Sequence, residues 1–201
     1  MGTNNNPWIS IADLLSSVVM VVLLLFVMAV VGPKYALEQQ RTDIMKQMGI
    51  KLSSYQSSGM LKIHSDKNML EFTSVTFESG SARLTEATEK MVSDLSPFLL
   101  DSMNEFKEME ILIEGHTDPS PVSAVSNVGG YYANNIQLST LRAANVREAL
   151  LNNMGNSDDL KRRIGVAGYG ETRLKNTQDP FSAENRRIEV RLLWDGQNDK
   201  K

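Results

Sequence analysis

The sequence of 201 residues predicts an α/β (α+β) two-layer sandwich that follows a single N-terminal transmembrane helix. One observation is an apolar run of eighteen residues, from Leu14 to Val31, in which Ser16 and Ser17 are the only polar members. The other observation is that, from about residue 66, segments whose apolar residues have the spacing of a β-strand alternate with segments whose apolar residues have the spacing of an α-helix. Strands that alternate with helices are typical of two packed layers.

The apolar run predicts a transmembrane helix over residues 8–32. Counted from Trp8 to the end of the run it contains 24 residues, or ~36 Å at ~1.5 Å per residue, which exceeds a hydrocarbon core of ~30 Å. Gly32-Pro33 is expected to end this helix. The preceding segment, residues 1–7, lacks the Lys or Arg of a cleaved signal peptide, so we interpret the helix as a permanent anchor.

Asp13 is the single charged residue of the predicted membrane helix and lies about one turn from its start. A charge at mid-membrane costs ~2.5–3.5 kcal/mol. Two interpretations stay open. Asp13 is an interfacial carboxylate stabilised by the positive end of the helix dipole, or it binds an ion and becomes charged on releasing it. Ser16 and Ser17 would then line the ion path, or would only hydrogen-bond to the helix backbone.

Residues 33–65 are predicted to be a linker that contains an amphipathic helix. Helix formers dominate residues 34–50, and the apolar positions at helical spacing are Tyr35, Leu37, Ile44, Met45 and Met48. Four serines between residues 53 and 58, followed by Gly59, then indicate a loose connection. A helix just outside the membrane would suit a plug that closes an ion channel at rest, and the sequence leaves open whether it does so.

Residues 66–195 are predicted to form the globular domain, with a short tail at 196–201. Its predicted strands are Leu70–Phe77 with a turn at Gly80, Met109–Ile113, Ile164–Ala167 and Arg187–Trp194. Its predicted helices are Thr85–Met103 and Leu138–Met154, the second ended by Gly155. The predicted inner face of that second helix contains Leu141, Val146, Ala149 and Leu150.

The composition excludes several classes of protein. The chain has no cysteine, which removes disulfides, thiolate nucleophiles and cysteine-ligated metal centres. Its only histidines are His64 and His116, too few for an all-histidine metal site, and we expect no metal and no cofactor. The net charge of −3 lacks the basic excess that nucleic-acid binding needs, so no nucleic acid is expected among its partners.

Five motifs in order along the domain resemble the C-terminal, peptidoglycan-binding domain of the OmpA family. They are FESGSA from Phe77, IEGHTD from Ile113, NIQLSTLRA from Asn135, GYGE from Gly168 and NRRIE from Asn185. The order of all five over about 120 residues makes the resemblance specific. The resemblance implies a domain that binds the diaminopimelate of the peptidoglycan stem peptide.

The resemblance also implies which residues bind that ligand. By motif position, the ligand-holding Asp and Arg of the family correspond to Asp118 and Arg142, which suit the ammonium and the carboxylate of a zwitterion. Asn135 matches an asparagine that contacts the same ligand, and Arg186 is expected to line the site. The alternative is structural: Asp118 caps a turn and pairs with Arg142 on the surface.

No enzymatic activity and no catalytic residue are predicted. His116 with Asp118 and Ser139 could suggest a hydrolase, but the GxSxG turn that exposes a serine nucleophile is missing. His116 and Thr117 are instead expected to shape the turn. The small, flexible insert at 119–134 could close over the ligand or contact a neighbouring protein, and the sequence leaves its role open.

The segment Trp8–Leu14, WISIADL, resembles the membrane helix of the MotB family of stator B subunits, and the compact arrangement is similar to the ZorB subunits of Zorya antiphage systems. The combination implies a subunit of an ion-driven rotary stator that conducts H⁺ or Na⁺ through Asp13 and is anchored to peptidoglycan. The implied partners are a second copy of the chain and an A-type (MotA- or ZorA-like) membrane subunit, in a ratio of two to five.

Departures from the flagellar members of the family favour a role in defence over one in motility. The basic N-terminal tail and the proline-rich stretch that are typical of flagellar subunits are missing from this sequence. A flagellar MotB-like subunit and a passive tether between membrane and peptidoglycan are the alternatives. The implied location is the bacterial inner membrane, crossed once, with residues 1–7 cytoplasmic and the domain periplasmic, where peptidoglycan is found. The positive-inside rule, applied to Lys34, Arg41 and Lys46, gives the opposite orientation.

Overall fold

The computed structural model describes residues 7–73, 76–77, 81–122 and 134–194. The predicted strand residue Val75, the predicted turn at Gly80, most of the 119–134 insert and the 196–201 tail lie outside the described residues. The chain divides into two compact units, residues 1–43 and 44–201.

The described residues of the first unit are helical. Helix α1 extends over Pro7–Lys51. Within it, Pro7–Gly32 is the one stretch of the described chain long and apolar enough to cross a membrane, with 26 residues and a mean hydropathy of 3.1. Every residue of this stretch is exposed to solvent.

The prediction that Gly32-Pro33 ends the first helix is wrong, because α1 continues to Lys51. A proline inside a helix removes one backbone hydrogen bond and costs ~3 kcal/mol or more. The residues after it, from Leu37 to Gln40, are strong helix formers, and their propensity favours continuation of the helix beyond the proline.

The second unit is built on a five-stranded mixed sheet, which confirms the predicted fold class. The strands are β1 Leu61–His64, β2 Met69–Phe72, β3 Glu110–His116, β4 Ile164–Gly170 and β5 Arg187–Leu193. Their order across the sheet is β1-β2-β5-β3-β4. Neighbouring strands are antiparallel except β3 and β4, which are parallel.

Two long helices cover one face of this sheet and form the core with it. The helices of the second unit are α2 Ser53–Ser57, α3 Glu86–Glu105, α4 Asn135–Met154 and α5 Asp158–Arg163. Helix α3 packs against α4, and α4 packs against β3 and β4. Leu95, Ile113, Val146 and Val190 are fully buried between the layers, and each such side chain contributes about 1.5–3 kcal/mol through burial.

The compact unit begins at Ile44, well before the predicted domain boundary at residue 66. Met45, Met48 and Leu52 lie in the hydrophobic core, and residues 61–64 form strand β1, which pairs with β2. The prediction of a loose linker is therefore corrected for residues 44–65. The serines that suggested a loop belong mostly to the short helix α2, whose residues are all at least partly exposed.

The predicted helices agree with α3 and α4 apart from one face assignment. Thr85 accepts a hydrogen bond from the Thr88 amide and so caps α3, while Gly155, with a φ of 91°, ends α4. Leu141, predicted on the inner face of α4, is instead 41 % exposed. The buried face of α4 contains Leu138, Arg142, Val146 and Leu150, which are spaced four residues apart. Arg142 therefore lies on the inner face of the helix, where the apolar pattern had placed Leu141.

Candidate functional site

Helix α4 presents two of the predicted ligand-binding residues on one face. Asn135 and Arg142 are seven residues apart, which is close to two helical turns and ~10.5 Å along the axis. Both side chains are buried. The side-chain oxygen of Asn134 accepts a hydrogen bond from the Gln137 amide at 2.9 Å and caps α4, so the first turn that holds Asn135 is fixed.

Glycines allow the strands to approach this helix closely. A Cβ atom at Gly115 would overlap the backbone carbonyl of Ser139, and one at Gly168 would overlap Thr140. The Ser139 hydroxyl accepts a hydrogen bond from the Gly170 amide at 2.9 Å. The ends of β3 and β4 are thereby held beside the first turns of α4.

Asp118, Asn135 and Arg186 lie together at the end of β3. Arg186 Nη1 donates to Asp118 Oδ2 at 2.5 Å, and Asp118 Oδ1 accepts from the Ser120 amide at 3.0 Å. Asn135 Nδ2 donates to the carbonyl oxygens of Ser120, at 3.1 Å, and of Asp118, at 3.4 Å. Asp118 therefore caps its own turn, as the structural alternative expected, but its ion-pair partner is Arg186 where that alternative named Arg142.

The ion pair keeps Asp118 ionised. Burial by itself raises the pKa of this carboxyl, but the hydrogen bonds from Arg186 and Ser120 outweigh burial, so the net pKa of Asp118 lies below its ordinary value. An ammonium ligand would therefore meet a carboxylate that is already charged and already shares one oxygen with a guanidinium.

Arg142 contacts the segment that precedes α3. Its Nε donates to the Ser81 carbonyl oxygen at 3.0 Å, and its guanidinium lies over the Phe77 ring, 5.0 Å from the centroid. Both contacts belong to the FESGSA motif. In the structure it is Arg186 that forms the ion pair with Asp118, whereas the family resemblance assigns Arg142 to the ligand's opposite charge.

The predicted ion-binding residues lie on the exposed surface of α1. Asp13, Ser16 and Ser17 are all exposed. The Ser17 hydroxyl donates to the Asp13 backbone carbonyl at 2.9 Å, so it satisfies the helix backbone, as one of the two interpretations expected. The Asp13 carboxylate has no hydrogen-bond partner among the residues that the structure describes.

A row of three carboxylates crosses the sheet on the face opposite α4, and sequence analysis missed it. Glu71 on β2 pairs in register with Glu189 on β5, which pairs with Glu114 on β3. Like charges directly opposite each other are destabilising, and here cations offset them. Lys175 Nζ contacts both oxygens of Glu71 at 2.7 Å, and Arg191 bridges Glu114 at 2.6 Å and Glu189 at 2.5 Å.

His116 lies beside this row without a hydrogen bond. It is 2 % exposed, and neither ring nitrogen has a hydrogen-bond partner in the described part of the chain, although Nε2 lies 4.0 Å from Glu189 Oε1. Its ring stacks on Tyr169 with 5.4 Å between centroids. Burial, followed by the charge of Arg187, lowers the pKa of His116 to about 4, so the ring is neutral at neutral pH. Its neighbour Thr117 fixes the turn through its amide, which donates to the Gly170 carbonyl at 2.9 Å.

The same cluster is the one described group whose atoms could approach a metal ion together. Glu114, His116 and Glu189 bring one potential ligand atom each to within 4.8 Å of one another. Both carboxylates already accept hydrogen bonds from arginines, including Arg187 Nε on Glu189 at 2.7 Å. The charges of the two acids and the two arginines cancel, so a divalent cation would add uncompensated positive charge. The residues suit an ion-pair network better than a metal centre.

The sequence model of the OmpA family matches residues 76–187. The match spans more than half of the chain and includes Asp118, Asn135 and Arg142, so the chain belongs to the OmpA family.

The chain is also similar to one curated relative and to two solved structures. The chain is 32 % identical over 123 residues to an Escherichia coli K12 protein named as a truncated flagellar export/assembly protein, LafU. That match covers 61 % of the chain and 52 % of LafU, so the chain spans about half the length of this relative.

The two solved structures show the same fold. A MotB-like protein from Desulfovibrio vulgaris is similar with a TM-score of 0.63 and 24 % identity, over 80 % of this chain and 98 % of that one. The cell wall anchor of the T6SS from Pseudomonas aeruginosa is similar with a TM-score of 0.55 and 20 % identity, over 73 % and 96 %.

Proposed function

We propose that the chain is the B-type subunit of an ion-driven rotary stator whose C-terminal domain binds peptidoglycan. The observation that carries the proposal is the presence, in one chain, of an OmpA-family domain and of an exposed apolar helix with a single charged residue, Asp13. The similarity of the fold to that of a MotB-like protein supports it.

Peptidoglycan binding is proposed at Asp118, Asn135, Arg142 and Arg186. The end group of a diaminopimelate side chain is a zwitterion, so a carboxylate and a guanidinium presented on neighbouring elements suit it. Asp118 would accept from the ammonium, and Arg142 would donate to the carboxylate. Asn135 and Arg186 hold the Asp118 turn in place. The similarity to a protein described as a cell wall anchor supports this role.

Ion transport is proposed at Asp13. A carboxylate on an apolar membrane helix needs polar partners when charged and loses that need when it is neutralised. Partners would come from a ring of five A-type subunits around two copies of this chain, with Ser16 and Ser17 beside the path of H⁺ or Na⁺. A membrane potential supplies ~2.3 kcal/mol per charge per 100 mV, enough to bias rotation of the ring.

The proposed orientation places the N-terminus in the cytoplasm and the OmpA-family domain in the periplasm, across the inner membrane. The wall ligand is accessible only there. The positive charges after the helix oppose this orientation under the positive-inside rule. One of them is partly offset, because Arg41 Nη1 lies 3.5 Å from Glu38 Oε2.

We propose antiphage defence of the Zorya type as the biological role. A flagellar stator is the second candidate, favoured by the likeness to a relative named for flagellar export or assembly. A passive tether is the third. The Asp13→Asn variant separates them when phage plating and swimming are both scored in the native host. We expect lost protection against phage, unchanged swimming and unchanged co-purification of the partner subunit.

The other outcomes each select a rival. Lost swimming with protection retained would identify a flagellar subunit. Unchanged phenotypes in both assays, with wall binding intact, would leave a tether, because a tether needs the helix only as an anchor and tolerates a neutral residue at position 13.

A further inference from the structure

A cleft lies next to the Asp118 ion pair and is lined by residues of unlike charge. Its volume is about 240 Å³, and its charged and polar lining consists of Lys62, Glu71, Thr73, Glu184, Arg186 and Arg187. The part contributed by Lys62, Glu71 and Thr73 precedes residue 76 and so lies outside the match to the OmpA family. The cleft therefore combines residues of a family motif with residues that precede the family match.

Arg186 connects the cleft to the Asp118 site. Its Nη1 donates to Asp118 and, at 3.3 Å, to the Phe181 carbonyl. Its Nε and Nη2 have no hydrogen-bond partner among the described residues, and the side chain is 38 % exposed. These two donors form the edge of the guanidinium that can take a carboxylate in a bidentate arrangement.

Lys62 supplies a second available cation. Its Nζ is 3.9 Å from Glu71 Oε1, whereas Lys175 Nζ contacts both oxygens of Glu71 at 2.7 Å. Glu71 also contacts His64 Nε2 at 3.0 Å. Glu71 is thus neutralised without Lys62, whose side chain is 47 % exposed at the cleft.

We propose that this cleft binds a second carboxylate of the peptidoglycan stem peptide, through Nε and Nη2 of Arg186 and Nζ of Lys62. The proposal rests on the proposed binding of the wall peptide and extends that site. Arg186 contacts Asp118 and also lines the cleft. A stem peptide whose ammonium group binds Asp118 could therefore place a carboxylate in the cleft, on the other edge of the same guanidinium.

Glu184 also lines the cleft, and its substitution should change the affinity for the peptide in the direction opposite to substitution of Lys62. Its side chain is exposed and forms no hydrogen bond or ion pair in the described part of the chain. Its charge repels a bound carboxylate. Glu184→Gln should therefore strengthen binding of the acidic peptide, whereas Lys62→Gln should weaken it.

The test uses the full chain in lipid nanodiscs and two synthetic tripeptides, L-alanyl-γ-D-glutamyl-diaminopimelate and the same peptide with its glutamyl α-carboxylate amidated. Isothermal titration at low ionic strength gives the dissociation constants. The variants are Lys62→Gln, Glu184→Gln and the control Lys67→Gln, an exposed lysine outside the cleft. A thermal melt confirms that each variant is folded.

The expected result is that the wild type and Lys67→Gln prefer the acid to the amide by about fivefold, the size of a favourable exposed ion pair. Lys62→Gln should reduce that preference, since only Arg186 then contacts the carboxylate, and Glu184→Gln should increase it. Equal affinity of the wild type for both peptides would overturn the cleft site alone. Failure of both peptides to bind would overturn the proposed wall function together with it.

Discussion

Asp13 and Asp118 are two carboxylates in opposite settings. Asp13 lies on an exposed apolar helix, and its carboxylate has no hydrogen-bond partner among the residues that the structure describes. Asp118 is 6 % exposed and its carboxylate is held by Arg186 and by the Ser120 amide. A carboxylate with its partners in the same chain is a fixed part of a site. In the proposed stator, the carboxylate without such partners would meet polar groups of another subunit.

The largest effect expected at the fixed carboxylate is on binding to the cell wall. Asp118→Ala removes the proposed ammonium acceptor and leaves Arg186 unpaired. Because hydrogen bonds to charged groups contribute about 1.5–3 kcal/mol, affinity should fall roughly tenfold to a hundredfold. Sedimentation of the full chain, in detergent, with purified sacculi measures it.

The matched control for wall binding is Asp66→Ala, which removes an exposed carboxylate far along the chain from the site. Arg142→Ala should reduce sedimentation like Asp118→Ala, because it removes the donor for the ligand's carboxylate. Sedimentation that stays undiminished in both variants would show that the pocket lies elsewhere in the domain.

A second effect tests whether the Asp118 setting depends on close packing of β3 against α4. Gly115→Ala places a Cβ atom against the Ser139 carbonyl, and such overpacking typically costs about 1–3 kcal/mol of unfolding free energy. In Gly165→Ala the new Cβ would meet only the flexible end of Leu112, at 3.6 Å. We expect a lowered thermal midpoint for the first variant alone, and equal midpoints would contradict the packing account.

A third effect concerns acid and His116. The pKa of this ring falls from 6.5 to about 4 on folding, first through burial. Between these two pKa values the unfolded chain binds a proton that the folded chain excludes. The free energy of unfolding should therefore fall as the pH falls from 6.5 towards 4, with a total loss of about 3 kcal/mol. His116→Phe keeps an aromatic ring against Tyr169 but does not titrate, so its unfolding free energy should be nearly flat over that range.

The carboxylates give a separate loss of stability at lower pH. Burial raises the pKa of Glu71 and Glu189, but Lys175 and Arg187 outweigh burial and the net pKa of each lies below its ordinary value. Each contribution is present above the ordinary value of 4.5 and lost as the pH falls through the lowered pKa. This loss should persist in His116→Phe, and a single transition removed entirely by that variant would contradict the assignment.

The smallest effect concerns the proposed plug. Met45 and Met48 belong to the core, so deletion of residues 35–50 would damage the domain, and the plug hypothesis is better tested on residues 35–41. Removing seven residues, close to two helical turns, leaves the helix nearly in phase. If this segment blocks the proposed channel, ion leak should rise modestly in cells that express the variant with the proposed A-type subunit. An unchanged leak would remove the idea.

The long elements of the domain could be predicted because their core faces repeat with the right period over many residues, as in α3, α4 and β5. The short ones could not. Strand β1 has four residues and α5 has six, which is too few for periodicity to show. Pro33 is typical of a helix break, but the helix formers that follow it favour continuation of α1. The serines near residue 55 are typical of a loop, but Met45 and Met48 just before them are buried in the core, and the serines form a short helix.

The site could be predicted only in part, because its geometry depends on contacts far apart in sequence. The ion pair between Asp118 and Arg186 joins residues separated by 68 positions. The alternation of Arg187, Glu189 and Arg191 does indicate a charged face of β5. Only the strand order β2-β5-β3 shows that three carboxylates share one row.

The most direct test of the central claim is ion flux through the proposed complex of this chain with an A-type subunit, in liposomes under an applied membrane potential. The wild-type chain should give a flux that Asp13→Asn abolishes, while the amount of assembled complex stays close to that of the wild type. Equal flux in the wild type and in Asp13→Asn would contradict the claim that this carboxylate carries the ion.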